Sequence, residues 1–194
     1  MHTLTYAVLD TETTGFYYDR GDRLVEIAAV KIRDGKIVPE DNFQSMINPE
    51  RSIPLSASRV NHITDEMVTA APKFAEIIDQ FEEFLADVDY VFIHNAKFDL
   101  SFLKAEYARC QRALKLPKVV CSVELSKAFY PELRTHNLNA IAKRFDLEIK
   151  EGELRHRALG DVILTGEVIL KFYEENPLIF LGSLESLENR EFCG

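Results

Sequence analysis

Leu4-Thr5-Tyr6-Ala7-Val8-Leu9, running into Asp10-Thr11-Glu12, is the stretch from which the fold is read. Its first six residues are rich enough in Tyr, Val and Leu for a buried strand. The run stops on two carboxylates spaced two apart. Side chains alternate along a strand, so Asp10 and Glu12 share a face. Two carboxylates on one face of a buried strand's end repel each other. Their desolvation is costly unless something positive sits between them.

Outward from this strand the pattern is that of a mixed α/β domain. Leu24 to Ile32 reads as a second strand, Asp34-Gly35 as a hairpin turn, and Lys36 to Ile47 as a third strand. Pro49, Pro54 and Pro72 punctuate the segment from Asn48 to Ala71, which reads as loop with short helical turns. From Phe74 the period changes. Phe74, Ile77, Ile78, Phe81, Phe84 and Leu85 form one stripe of an amphipathic helix. Tyr90 to Ile93 is a fourth, wholly apolar strand. Helices are expected over Lys97 to Arg112, Val123 to Phe129, Asn137 to Phe145 and Gly160 to Glu175, with Pro177 ending the last. At 194 residues this is one domain, placed at 1–176, with a short C-terminal tail at 177–194.

Two further carboxylates join the first pair. Asp99 lies just past the fourth strand, and pairing of strands one and four brings it near Asp10. Asp161 continues the inward stripe of Leu164, Val168 and Phe172 at the start of the last helix. A cluster of oxygen ligands suits Mg²⁺ or Mn²⁺ rather than zinc. Two such ions about 4 Å apart can stabilise both attacking and leaving oxygens of a phosphoryl displacement. His156, five residues before Asp161, is placed to take a proton from an attacking water.

Composition narrows the partners. The charge of −9 excludes a broad polybasic surface and so argues against tight non-specific binding of duplex DNA or anionic membranes. It leaves open a local site where metal ions neutralise phosphate. Cys110, Cys121 and Cys193 are odd in number and show no C-x-x-C spacing, so neither a disulfide framework nor a Cys-rich zinc site is expected. The first residues lack a basic segment followed by an apolar one, and no apolar run reaches the ~18–20 residues of a membrane span. A cytoplasmic, non-membrane protein is expected.

Three segments carry a resemblance: Asp10-Thr11-Glu12-Thr13-Thr14-Gly15, His94-Asn95-Ala96-Lys97-Phe98-Asp99 and His156-Arg157-Ala158-Leu159-Gly160-Asp161. In this order they resemble the three motifs of the DEDDh 3′→5′ exonucleases, closest to the epsilon proofreading subunit of bacterial DNA polymerase III and its stand-alone relatives. Leu24-Val25-Glu26-Ile27-Ala28-Ala29-Val30, Cys121 to Ser126 and Asn137 to Ile141 are similar to family segments too. The resemblance implies a ribonuclease H-like α/β fold, a mixed five-stranded sheet flanked by helices. It also implies removal of nucleoside 5′-monophosphates from DNA 3′ ends. By the family pattern Asp10, Glu12 and Asp161 ligate the first of two Mg²⁺ or Mn²⁺ ions, and Asp10 bridges to the second. Asp99 supports the metal site, largely through water, and His156 is the general base. Glu12 and Thr13 hold the terminal 3′-OH, and Phe16, after Gly15, lies against the terminal base.

The sequence departs from the family in one loop. Where the family often has Val-His-Gly-Ile-Thr, this chain has Val60-Asn61-His62-Ile63-Thr64, and His62 is a candidate substrate contact. The epsilon subunit also has a longer C-terminal extension that docks its polymerase. The short segment after Asn176 shows no obvious clamp-binding motif, so polymerase association is not indicated by it. Single-stranded or frayed DNA 3′ ends are the expected substrate. RNA 3′ ends are the alternative within the same chemistry, and a non-catalytic nucleic-acid-binding module is the alternative outside it.

Overall fold

The computed structural model describes residues 4–147 and 157–187. Five strands, β1 (Tyr6–Thr13), β2 (Leu24–Arg33), β3 (Lys36–Met46), β4 (Tyr90–Ile93) and β5 (Lys118–Cys121), form one sheet in the order β3-β2-β1-β4-β5. β1, β2 and β3 are antiparallel neighbours, whereas β4 runs parallel to β1, and β5 to β4. The expected pairing of the first and fourth apolar runs is present, with Leu9 opposite Ile93. At the β2–β3 turn Asp34 and Gly35 both take positive φ, 50° and 71°, which is why this Asp-Gly pair closes a hairpin.

The helices are α1 (Leu55–Asn61), α2 (Asp65–Val68), α3 (Phe74–Leu85), α4 (Ala96–Arg109), α5 (Ser122–Phe129), α6 (Leu138–Arg144), α7 (Ala158–Glu175) and α8 (Pro177–Leu187). Alternation along β1 divides them between two layers. Val8 faces a core shared with α7 and α8, while Ala7 and Leu9 face the opposite core, built with α3 and α4. Contact on the first face is close at Gly166: a Cβ there would lie 3.0 Å from the Ile37 side chain. No helix among the described residues is long and apolar enough to cross a membrane.

Two features differ from the sequence reading. The strand β5 is as short as β4 but opens on a lysine, so it lacks the wholly apolar run that marks β4 in the sequence. α7 ends at Glu175, just before Pro177 as expected, but the segment read as a tail begins with a helix, and its residues 188–194 lie outside the described residues. Pro177 opens α8, and the Asn176 side chain accepts a hydrogen bond from the Ile179 amide at 3.1 Å. Asn followed by Pro is thus a helix N-cap and first position. Phe180, Leu184 and Leu187 then bury one face of α8 against Tyr6 and Phe92.

Candidate active site

The site forms where β1 outruns its neighbour. β4 stops at Ile93, opposite Leu9, but β1 continues to Thr13 paired only with β2. The chain leaving β4 turns sharply at Asn95, held at φ 59°, and starts α4. Asp99, in the first turn, then replaces the lost ladder partner. Its Oδ1 accepts from the Thr11 amide at 3.1 Å and from the Thr11 hydroxyl at 2.6 Å. Asp99 is 2% exposed.

Asp10 and Glu12 lie on the opposite face of β1, the one covered by α7. Asp161 comes to them from the first turn of α7, and one carboxylate oxygen from each of the three lies within 4.8 Å of the others. The structure brings these three together, and Asp99 stands beside them, bonded to Thr11. His156 lies outside the described residues, although Arg157, the next residue, is described.

The cluster is electrostatically frustrated. Burial, then Asp99, Glu12 and Asp161, push the Asp10 carboxyl well above the usual aspartate range. Burial and Asp161 push Glu12 up to about 8, against a smaller opposing pull from Arg157. Burial also lifts Asp99 to about 7, despite the hydrogen bonds from Thr11. These carboxylates do not all ionise near neutrality without added positive charge. Three converging oxygen donors of this kind fit a hard divalent cation such as Mg²⁺ or Mn²⁺.

A cleft of about 220 Å³ opens next to Glu12, lined by Thr13, Gly15, Phe16, Val60, Asn61 and Phe98 among others. Phe16 stands 76% exposed at its mouth, edge-on to Phe98 with ring centroids 6.3 Å apart. The loop bearing Phe16 is held by Asp22, which accepts from the Tyr17 amide, the Thr14 hydroxyl and Arg51. Asp22 sits so close under Gly15 that a Cβ there would be 2.3 Å from its carboxylate oxygen. A side chain at this position would push the Asp22 carboxylate away from the loop. Thr13 donates its hydroxyl to the Gly15 carbonyl at 2.6 Å. His62 is exposed and is not among the cleft-lining residues; it ends α1 at φ 60°. The neighbouring Asn61 is the wall residue, donating to the Thr13 carbonyl at 3.2 Å.

The chain matches the exonuclease family model over residues 7–169, most of its length. The chain belongs to the exonuclease family. It is 39% identical over 168 residues to a DNA polymerase III subunit epsilon-like protein of Rhodobacter capsulatus, covering 87% of this chain and 23% of that one. It is 36% identical over 174 residues to the PolC-type DNA polymerase III of Bacillus subtilis, covering 88% and 12%. It thus spans less than a quarter of the length of these relatives. Among solved structures it resembles exonuclease X in complex with 5′-overhanging duplex DNA, with TM-score 0.70, 25% identity and coverage of 89% and 93%. It also resembles the nuclease domain of 3′hExo, a DEDDh family member bound to rAMP, with TM-score 0.79, 14% identity and coverage of 90% and 94%. The fold is the ribonuclease H-like one of DEDDh exonucleases.

Three residues near the ends of β1, β2 and β4 carry little local signal in the sequence. Glu26, on β2, is wholly buried and bonded to Arg157; its signal is a charged residue in an otherwise apolar strand. Asn61 gives no signal beyond its departure from the family pattern. His94 follows Ile93 at the end of β4, one position past the Leu9–Ile93 pair, and its Nδ1 meets the Ser122 hydroxyl at 2.8 Å.

Proposed function

We propose that the domain is a metal-dependent 3′→5′ exonuclease. It removes nucleotides one at a time from single-stranded or frayed DNA ends and releases nucleoside 5′-monophosphates. The observation that carries this reading is Glu12, which belongs both to the cluster with Asp10 and Asp161 and to the lining of a cleft walled by an exposed Phe. At about 220 Å³ the cleft is small beside the roughly 300–1,000 Å³ of ordinary ligand pockets, a scale that suits a single nucleotide within it.

Asp10, Glu12 and Asp161 would hold Mg²⁺ or Mn²⁺, two ions per site, with Asp99 in support. Bound there, the ions supply Lewis-acid stabilisation of charge on the phosphoryl oxygens. The chain's own residues do the rest. Phe16 stacks on the terminal base, which every base permits through its π-face. Thr13 and Glu12 hold the terminal 3′-OH, with Asn61 bracing the Thr13 backbone. His156 accepts the proton of the attacking water at a ring nitrogen. A frayed end enters more readily than a paired one, because entry costs unpairing, on the order of a few kcal/mol.

RNA 3′ ends are the second reading, favoured by the likeness to a nuclease domain bound to rAMP. Association with a polymerase is a third, and it rests on the names of the relatives. Labelled single-stranded DNA and RNA, incubated with Mg²⁺, Mn²⁺ or chelator, test the first two together. Mononucleotides released from the 3′ end in a metal-dependent way support the proposal. Full activity in excess chelator, or comparable cutting of a closed single-stranded circle, defeats it.

A further inference from the structure

Glu26 is a fifth carboxylate beside the site. It is wholly buried, and it pairs across the β1–β2 ladder with Glu12. Position alone would make it another metal ligand, but its hydrogen bonds point elsewhere. Oε1 accepts from Arg157 Nη2 at 2.7 Å and from Gln44 Nε2 at 3.0 Å. Oε2 accepts from Arg157 Nε at 2.9 Å and from the Ala158 amide at 3.1 Å. A carboxylate has about four lone-pair sites, so Glu26 keeps none for an ion.

Resting on the exonuclease reading, we infer that Glu26 is a positioning residue: it fixes the first turn of α7, and so Asp161, against the end of β1. Arg157 is the N-cap residue of α7 and caps nothing with its own side chain. The Ala158 amide is one of the donors that a helix start leaves without an internal partner. Glu26 satisfies it from the neighbouring strand, and its charge suits the positive end of the helix. Both Arg157 bonds lie in one plane of the guanidinium fork, which fixes direction as well as distance. From Arg157 one backbone bond leads to the cluster, the Asp161 amide donating to the Arg157 carbonyl at 3.2 Å, and the Arg157 charge also acts on Glu12. The nucleotide cleft is built from β1, α1, α4 and the Gly15 loop, with nothing from α7. A shift of α7 should therefore alter the rate and ion affinity, and leave nucleotide binding nearly as it was.

The test compares the full chain with Glu26→Gln, Arg157→Lys, the pair combined, and Val168→Ala as a control. Val168 is buried on the same helix, about two turns from Asp161, and has no part in the site. A misplacement of about 1 Å is worth about 10²-fold in rate, so kcat on a single-stranded oligonucleotide should fall by about that factor in Glu26→Gln while KM stays within about three-fold. Mn²⁺ titration by calorimetry should show weaker binding with unchanged stoichiometry. Arg157→Lys keeps the charge but not the fork, and should not rescue the rate. The double variant should lose little more than either single one. Val168→Ala, compared where all variants are folded, should keep its kcat. An unchanged kcat in Glu26→Gln, a loss of ion stoichiometry there, or an equal loss in Val168→Ala overturns the inference. An inactive wild type would instead sink the exonuclease reading, and the Mn²⁺ titration would still decide the role of Glu26.

Discussion

The two ends of the central strands treat their carboxylates in opposite ways. At the end away from the site, Asp87 meets Lys31 at 2.8 Å and Arg33 at 2.6 Å, and Asp41 meets Arg33 at 3.1 Å. Lys31, then Arg33, hold the Asp87 carboxyl down to about 2. At the site end, burial and carboxylate neighbours push Glu12 up to about 8. The same sheet and the same residue class yield satisfied ions at one end and repelling ones at the other. What differs is burial together with the supply of cations: Asp87 is half exposed between Lys31 and Arg33, whereas Glu12 is mostly buried and Arg157, which pulls on it, is bonded to Glu26. Where the chain provides cations, the charges serve the fold; where it withholds them, the charges await a cation from outside.

Substituting a member of the frustrated cluster tests this contrast most severely. Asp10→Asn should reduce exonuclease activity to background. The same substitution should raise the stability of the metal-free protein by about 1 kcal/mol or more, since it removes a buried charge among like charges. Denaturant melts in chelator read the second effect. Loss of stability in Asp10→Asn would mean the cluster is not frustrated. His156→Ala should cost about 10²–10⁴-fold in rate, the usual worth of a general base, while metal binding by calorimetry persists. A variant within a few-fold of wild type, or one that no longer binds metal, would remove His156 from that role.

The two ends should also respond oppositely to pH. The raised Glu12 value contributes stability that is fully present below its unfolded pKa of 4.5 and is lost as pH rises through about 8. The depressed Asp87 value contributes stability that is present above 3.8 and lost as pH falls through about 2. In chelator, stability should therefore decline from about pH 5 to pH 8, by on the order of a few kcal/mol. Saturating Mg²⁺ should flatten that decline, because ion binding favours the folded state. Melting curves at fixed ionic strength decide it, and a metal-free protein as stable at high pH as at pH 5 contradicts it.

Much of the site end is legible in the amino-acid sequence alone. Asp10, Glu12 and Asp161 stand out because each breaks an apolar pattern of known period, strand or helix, and the period fixes the face. Asp99 can be placed near them because β4 is wholly apolar and ends just before it. Glu26 breaks a pattern equally well, yet its role stays hidden, because its partner lies on an element 131 residues away. Nothing local pairs a strand residue with a distant helix start. α8 escapes the sequence for a different reason: Asn176-Pro177 signals a helix stop and a helix start alike, and only burial of Phe180, Leu184 and Leu187 decides between them.

Among smaller effects, Asp87→Asn should cost no more than about 1 kcal/mol, the usual ceiling for a half-exposed ion pair, and kcat should be unchanged. A rate effect there would show that the two ends are coupled, and the contrast would then be one of degree.

The smallest expected effect concerns His62. Its φ of 60° closes α1 in the left-handed region, where a side chain with a Cβ is strained by roughly 1–2 kcal/mol. Glycine meets no such strain but adds freedom to the unfolded chain, roughly 0.5–1 kcal/mol. His62→Gly should therefore raise stability by about 0.5–1 kcal/mol. The cleft wall is made by Asn61, whose side chain bonds the Thr13 carbonyl and accepts from the Ile63 amide at 3.1 Å. Both bonds survive a change at the next residue, so KM for a single strand should hold. Asn61→Ala, by contrast, frees the Thr13 backbone and should raise KM. If His62→Gly raises KM while Asn61→Ala does not, the imidazole reaches the nucleotide when it binds, and the wall of the cleft must be redrawn one residue further along the chain.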